Sequence, residues 1–156
     1  MKKLLLIMVL LPMLARAEAP TEGPEGYERR LVAWVILAEA RGEGRVGMQA
    51  VYEVLWMRAQ NRGISLREVV LQPKQFAPLI GVKPAKLGQR MSKVPQYKWV
   101  HDVLLRFVPL TVHTVPAGME KIAPNRADHF HSGKVPSWCK GKPSVEIGGH
   151  KFYKLN

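Results

Sequence analysis

The sequence predicts a small α+β domain, mainly helical, with a short antiparallel hairpin or sheet at its C-terminal end. Apolar residues recur at helical spacing between residues 28 and 107, and beyond Pro109 the pattern changes to short alternating runs around a Gly-Gly pair. The chain has 156 residues, 47% hydrophobic and 23% charged, enough for one ordinary core. That composition excludes disordered, collagen-like and acidic-tail classes. A single cysteine, Cys139, excludes a disulfide-stapled mini-domain.

The elements follow in order. Residues 1–17 pair Lys2 and Lys3 with the apolar run Leu4 to Leu14 and end in Ala15-Arg16-Ala17, the pattern of a cleavable secretory signal peptide. The run is short for a bilayer span and no cysteine follows that could take a lipid, so no stable membrane anchor is expected. Cleavage would leave 139 residues and reduce the formal charge from +12 to +9. Residues 18–27, rich in Pro and Gly, read as a flexible leader, and 28–156 as the folded domain.

Residues 28–41 form a helix with little polar face, which must be buried. Gly42 and Gly44 stop it. A second helix over roughly 45–60 carries Val46, Ala50, Val51, Val54 and Leu55 on one side and ends at the left-handed cap signal Asn61-Arg62-Gly63. Ser65 and Glu68 make a capping box for a short helix stopped before Pro73. The segment 77–95, with Pro78, Gly81, Pro84, Gly88 and Pro95, reads as a loop. From Pro95 a further helix places Trp99, Val103, Leu104 and Phe107 at helical spacing. Val145 to Ile147 and His150 to Tyr153 flank Gly148-Gly149 as a hairpin with a two-residue turn.

An exported basic protein has an anionic polymer or anionic lipid surface as its natural partner, and no nucleic acid is expected. The cations scatter, from Lys83, Lys86, Arg90, Lys93 and Lys98 to Lys134, Lys140, Lys142, Lys151 and Lys154, so a solvated surface is an equal reading.

Among residues that could do chemistry, Glu39 extends the apolar stripe of Val32, Val35 and Ile36. Desolvation there would raise its pKa, as a general acid at neutral pH requires. Pairing with Arg41 or Arg45 at a helix end is the competing reading. His129, His131 and His150, with Cys139 between, invite a metal reading, but no HExxH or CxxC is present. Structural or substrate-contacting histidines are preferred, and no metal or cofactor is expected. Cys139 reads as an unpaired, half-buried thiol. Trp34, Trp56 and Trp99 read as core, while Trp138, in a loop-rich stretch, is the candidate for stacking on a sugar ring.

Six strings in order, EARGE at 39–43, GMQAVYEVLWMR at 47–58, LQPKQFA at 71–77, ADHFH at 127–131, VPSW at 135–138 and IGGHKFY at 147–153, resemble the cell wall hydrolase family typified by the spore cortex-lytic enzyme. The resemblance spans about residues 30–154. It implies a lysozyme-like catalytic domain over 28–156 that cleaves the glycan strands of peptidoglycan, with Glu39 as catalytic acid. It also carries Gln75, Phe76, His129, His131 and Tyr153 over as groove-lining residues, to which Trp138 is added. Met57 stands where the family usually has Asn, and Asp128 where it has a small hydroxyl residue. Ordinary hydrolysis needs a second carboxylate, for which Glu43 is the nearest candidate in sequence and Asp128 and Glu146 are distant ones. A lytic transglycosylase needs Glu39 alone and is the resemblance's implied route. A monomer is expected. The alternatives are a lysozyme-type muramidase, a zinc-dependent wall peptidase or amidase using His129, His131 and His150, and a non-catalytic wall-binding protein.

Overall fold

The computed structural model describes residues 24–106, 122–123 and 127–155. The signal and most of the leader, together with Phe107, lie outside them. Within them, the order is helices first and a small sheet last, an α+β arrangement as the sequence predicts.

Helix α1 (Pro24–Ala40) is the hub, and residues 31–37 are all buried. It begins four residues before the expected boundary, so the last part of the predicted leader is helical. Pro24 sits in the first turn, where a missing N–H costs no hydrogen bond and a fixed φ suits the helix. A 3-10 turn (Arg41–Glu43) leads through Gly44, at φ 68°, into α2 (Gly44–Arg62). Helix α2 ends on Gly63 in the left-handed conformation, whose N–H returns to the carbonyls of Ala59 and Gln60. Helix α3 (Leu66–Leu71) starts on the complete Ser65/Glu68 capping box.

The 77–95 segment differs from the loop reading. It holds a 3-10 turn (Ala77–Leu79) and helix α4 (Pro84–Met91), which buries Leu87, Gly88 and Met91 on α1. Pro84 opens the helix. Gly88 is not a breaker but the point of closest approach: a Cβ there would lie 2.6 Å from the Trp34 ring. Helix α5 (Tyr97–Trp99) continues as a π-helical turn (Val100–Leu104). That wider turn shifts the phase of the stripe, so Val100, Leu104 and Leu105 are buried while Val103 is 56% exposed.

Strands β1 (His129–Ser132), β2 (Val145–Ile147) and β3 (His150–Tyr153) form an antiparallel sheet in the order β1-β3-β2. Its register opposes His129 to Tyr153, Phe130 to Phe152 and Ile147 to His150. Strand alternation therefore puts His129, His131 and Tyr153 on one face and Phe130, His150 and Phe152 on the other. Phe152 belongs to the helical core, and α2 packs against both β1 and β2. The sheet is thus held beside the α1–α2 junction, where Glu39 and Glu43 lie.

Candidate active site

Glu39 occupies the penultimate position of α1, half-buried behind the buried run 31–37. Burial raises its pKa above the ordinary glutamate value; the Arg58 guanidinium and the Ala77 backbone amide pull the other way and do not cancel it. Two elements beyond α1 thus bear on this carboxylate, α2 through Arg58 and the 3-10 turn through Ala77.

Arg58 is 6% exposed on a face of α2 otherwise made of Val51, Val54 and Leu55. Its Nε–H donates to the Asp128 carbonyl at 2.6 Å, and its guanidinium stands 5.7 Å from the Phe76 ring centroid and 5.8 Å from that of Phe130. Burial and Arg62 lower its pKa to about 10, against Asp128 and Glu39, so it stays charged at neutral pH. Sequence reasoning gave Arg58 no role at the site. The signal was present, because a cation three residues after Leu55 and seven after Val51 stands where the stripe requires an apolar side chain.

Glu43 faces the hairpin. Its Oε2 accepts a hydrogen bond from the Gly149 N–H, and its Oε1 lies 3.8 Å from His150 Nδ1. Gly148, at φ 59°, presses so closely on this carboxylate that a Cβ would collide with it. His150 is 3% exposed, edge-on to Phe130 at 5.4 Å, and burial lowers its pKa despite Glu43. A chain of contacts therefore runs Glu43, His150, Phe130, Arg58, Phe76.

Asp128 is 1% exposed. Its Oδ1 accepts the Leu155 N–H at 2.9 Å and lies 2.8 Å from His129 Nδ1. The extra carboxylate thus ties the end of β3 to the start of β1.

The other face of the sheet carries a second cluster. His131 stacks on Tyr153 with centroids 5.5 Å apart, and its Nε2 is 3.0 Å from the Tyr153 hydroxyl. Trp138 lies across all three neighbours, 5.4 Å from His129, 5.9 Å from His131 and 5.5 Å from Tyr153, and is 40% exposed. Cys139 is buried beside it, its Sγ–H donating to the Pro136 carbonyl at 3.3 Å. So the predicted site residues fall into two groups: Glu39, Glu43 and Phe76 on the helical side, and His129, His131, Trp138 and Tyr153 across the sheet. Gln75 is exposed just ahead of Phe76, and Glu146 is exposed on β2. His150 points away from His129 and His131, so the three do not converge on one ion. Among the described residues no group of three or more His, Cys, Asp or Glu could hold a metal.

The family model described as Cell Wall Hydrolase matches residues 42–153, the greater part of the chain. The chain belongs to that family. No curated protein and no solved structure matches it. This cell wall hydrolase is thereby a peptidoglycan-acting enzyme, with peptidoglycan as its substrate and the space outside the cytoplasm as its place of action. The matched segment takes in Glu43, Arg58, Phe76 and the whole sheet, and begins three residues after Glu39. Among the described residues no helix is long and apolar enough to cross a membrane.

Proposed function

We propose that this cell wall hydrolase is a lytic transglycosylase that cleaves glycan strands between N-acetylmuramic acid and N-acetylglucosamine, with Glu39 as general acid and then base. Glu39 in its protonated form gives its proton to the glycosidic oxygen. The bond from that oxygen to C1 of the muramic sugar breaks, the N-acetylglucosamine leaves with a free hydroxyl, and positive charge develops at C1. The Glu39 carboxylate then takes the proton of the muramic 6-hydroxyl, whose oxygen bonds to C1, closing a 1,6-anhydro ring without water.

The observation that carries this reading is the raised pKa of a half-buried Glu39 beside a fixed cation. An acid that must give and then retake one proton works best when its pKa approaches the working pH. Arg58 and the Ala77 amide favour the ionised form needed for the second step, while burial favours the protonated form needed for the first. Glu43 accepts the Gly149 N–H, and Asp128 accepts the Leu155 N–H and lies against His129, so each candidate second carboxylate also holds the sheet in place, which supports a route needing only one. Two-carboxylate hydrolysis would place the pair about 5–5.5 or 6.5–9.5 Å apart. His129, His131, Trp138, Tyr153, Gln75 and Phe76 are proposed to orient and stack the sugars.

Residues 1–17 are proposed as a signal peptide that delivers a monomeric enzyme to the periplasm or exterior. The deciding experiment is mass spectrometry of the fragments released from purified sacculi. The expected products carry 1,6-anhydro ends. Hydrated reducing ends alone would instead make the enzyme a muramidase, release of peptides without glycan cleavage would make it a peptidase or amidase, and no release at all would leave a wall-binding protein.

A further inference from the structure

Immediately beside Glu39 the surface dips into a pocket lined by Ala38, Arg41, Pro78, Leu87, Arg90 and Met91. Ala38 precedes Glu39, and Pro78 follows the Ala77 whose amide acts on the Glu39 carboxylate. The pocket is therefore bordered, on two separate elements, by the chain neighbours of Glu39 and of the Ala77 that bears on it. Its floor is apolar and its only charged walls are two arginines, one from the 3-10 turn after α1 and one from the last turn of α4. No acidic residue lines it. The one polar contact of the Arg41 side chain among the described residues is a weak one, from Nη1 to the Met91 thioether at 4.0 Å, and the Arg90 guanidinium has no partner among them.

Two guanidiniums lining one concavity with no acidic partner among the described residues form a receptor for a carboxylate, because each presents a planar fork matched to its two oxygens. Resting on the reading of Glu39 as the group that acts on the glycan strand, we propose that this pocket is a subsite for a carboxylate carried by the muramic residue next to the scissile bond, on its peptide stem or its lactyl arm. Charge-bearing strands are then selected at a point, rather than only by the diffuse basicity of the domain.

The test uses the mature protein on three substrates: intact sacculi, sacculi whose carboxylates have been converted to amides with carbodiimide and methylamine, and strands stripped of peptide by an amidase, whose hydrolysis of the lactyl–peptide amide frees the lactyl carboxylate. The wild type should cleave intact sacculi at least 5-fold faster than amidated ones. Arg41→Gln/Arg90→Gln should compress that ratio below 2-fold, while Arg67→Gln/Lys154→Gln, which removes the same charge from exposed positions elsewhere, should leave it unchanged. Fast cleavage of stripped strands shows that the pocket takes the lactyl carboxylate of stem-free muramic residues; slow cleavage identifies the peptide stem as the carrier of the carboxylate. Equal loss in both double variants, or an unchanged ratio in the first, would overturn the subsite. Sedimentation of the Glu39→Gln protein, with and without the arginine changes, on the same substrates measures binding independently of cleavage. If wild type released no fragments, the catalytic reading would fall, and the binding ratio would still decide the subsite.

Discussion

Arg58 donates its Nε–H to the main-chain carbonyl of Asp128 across 2.6 Å, so the cation that acts on Glu39 is held in place by backbone. A main-chain carbonyl fixes the guanidinium without neutralising it, and the rings of Phe76 and Phe130 keep water from it. Replacing it with Met leaves buried Asp128 without its counter-charge and should cost about 3 kcal/mol by denaturant unfolding. Arg58 also lowers the pKa of Glu39, so its removal should push that pKa further up. The active acid form then persists to higher pH, and the alkaline limb of the kcat/KM profile of Arg58→Met should move upward. A limb that stays in place would detach Arg58 from the chemistry.

Glu39→Gln should lower activity on sacculi by about 10²–10⁴-fold, the usual contribution of a positioned proton donor. Stability should change the other way. A carboxyl with a raised folded pKa binds its proton more tightly folded than unfolded, so its contribution falls as pH rises from the unfolded pKa through the folded one. At neutral pH glutamine removes that penalty. Its Tm should equal or exceed that of the wild type at pH 7 and lose the advantage near pH 3.

The single-acid mechanism makes Glu43 a brace. Glu43→Gln, which still accepts a hydrogen bond from Gly149, should keep more than about a tenth of wild-type activity. Loss comparable to that of Glu39→Gln, with an unchanged Tm, would instead make Glu43 a second catalytic carboxylate. Gly148→Ala tests the same junction sterically: its φ of 59° and the contact with Glu43 should cost about 1–3 kcal/mol of stability.

Trp138 is exposed enough to meet a sugar and packed enough to be rigid. Trp138→Ala should raise KM about 3- to 10-fold with little change in kcat, the pattern of a group that binds ground and transition states alike. A fall in kcat with KM intact would move Trp138 from binding to catalysis.

The helical half of the fold was largely readable because its signals are local. Ser65 and Glu68 lie three residues apart, Gly63 ends a clear stripe, and the buried run 31–37 has no polar face. The misreading of 77–95 came from treating Gly88 as a backbone property, when its meaning lies in the Trp34 ring 54 residues away in sequence. The candidate site shows the same division. Glu39 stood out from its own helix, and His129, His131 and Tyr153 could be placed on one face by alternation. That Asp128 would spend its carboxylate on Leu155, or that His150 would turn toward Glu43, depends on how the sheet meets the helices, which no local pattern encodes.

The Glu43–Gly149 hydrogen bond joins positions 106 residues apart, one at the first bend of the domain and the other seven residues from its end. During synthesis the helices around Glu39 emerge first and the brace last. A chain still on the ribosome therefore holds Glu39 and Glu43 in an unfinished setting. An amino-terminal stretch that stops before Gly149 carries Glu39 and Glu43 without the hairpin contact to Glu43.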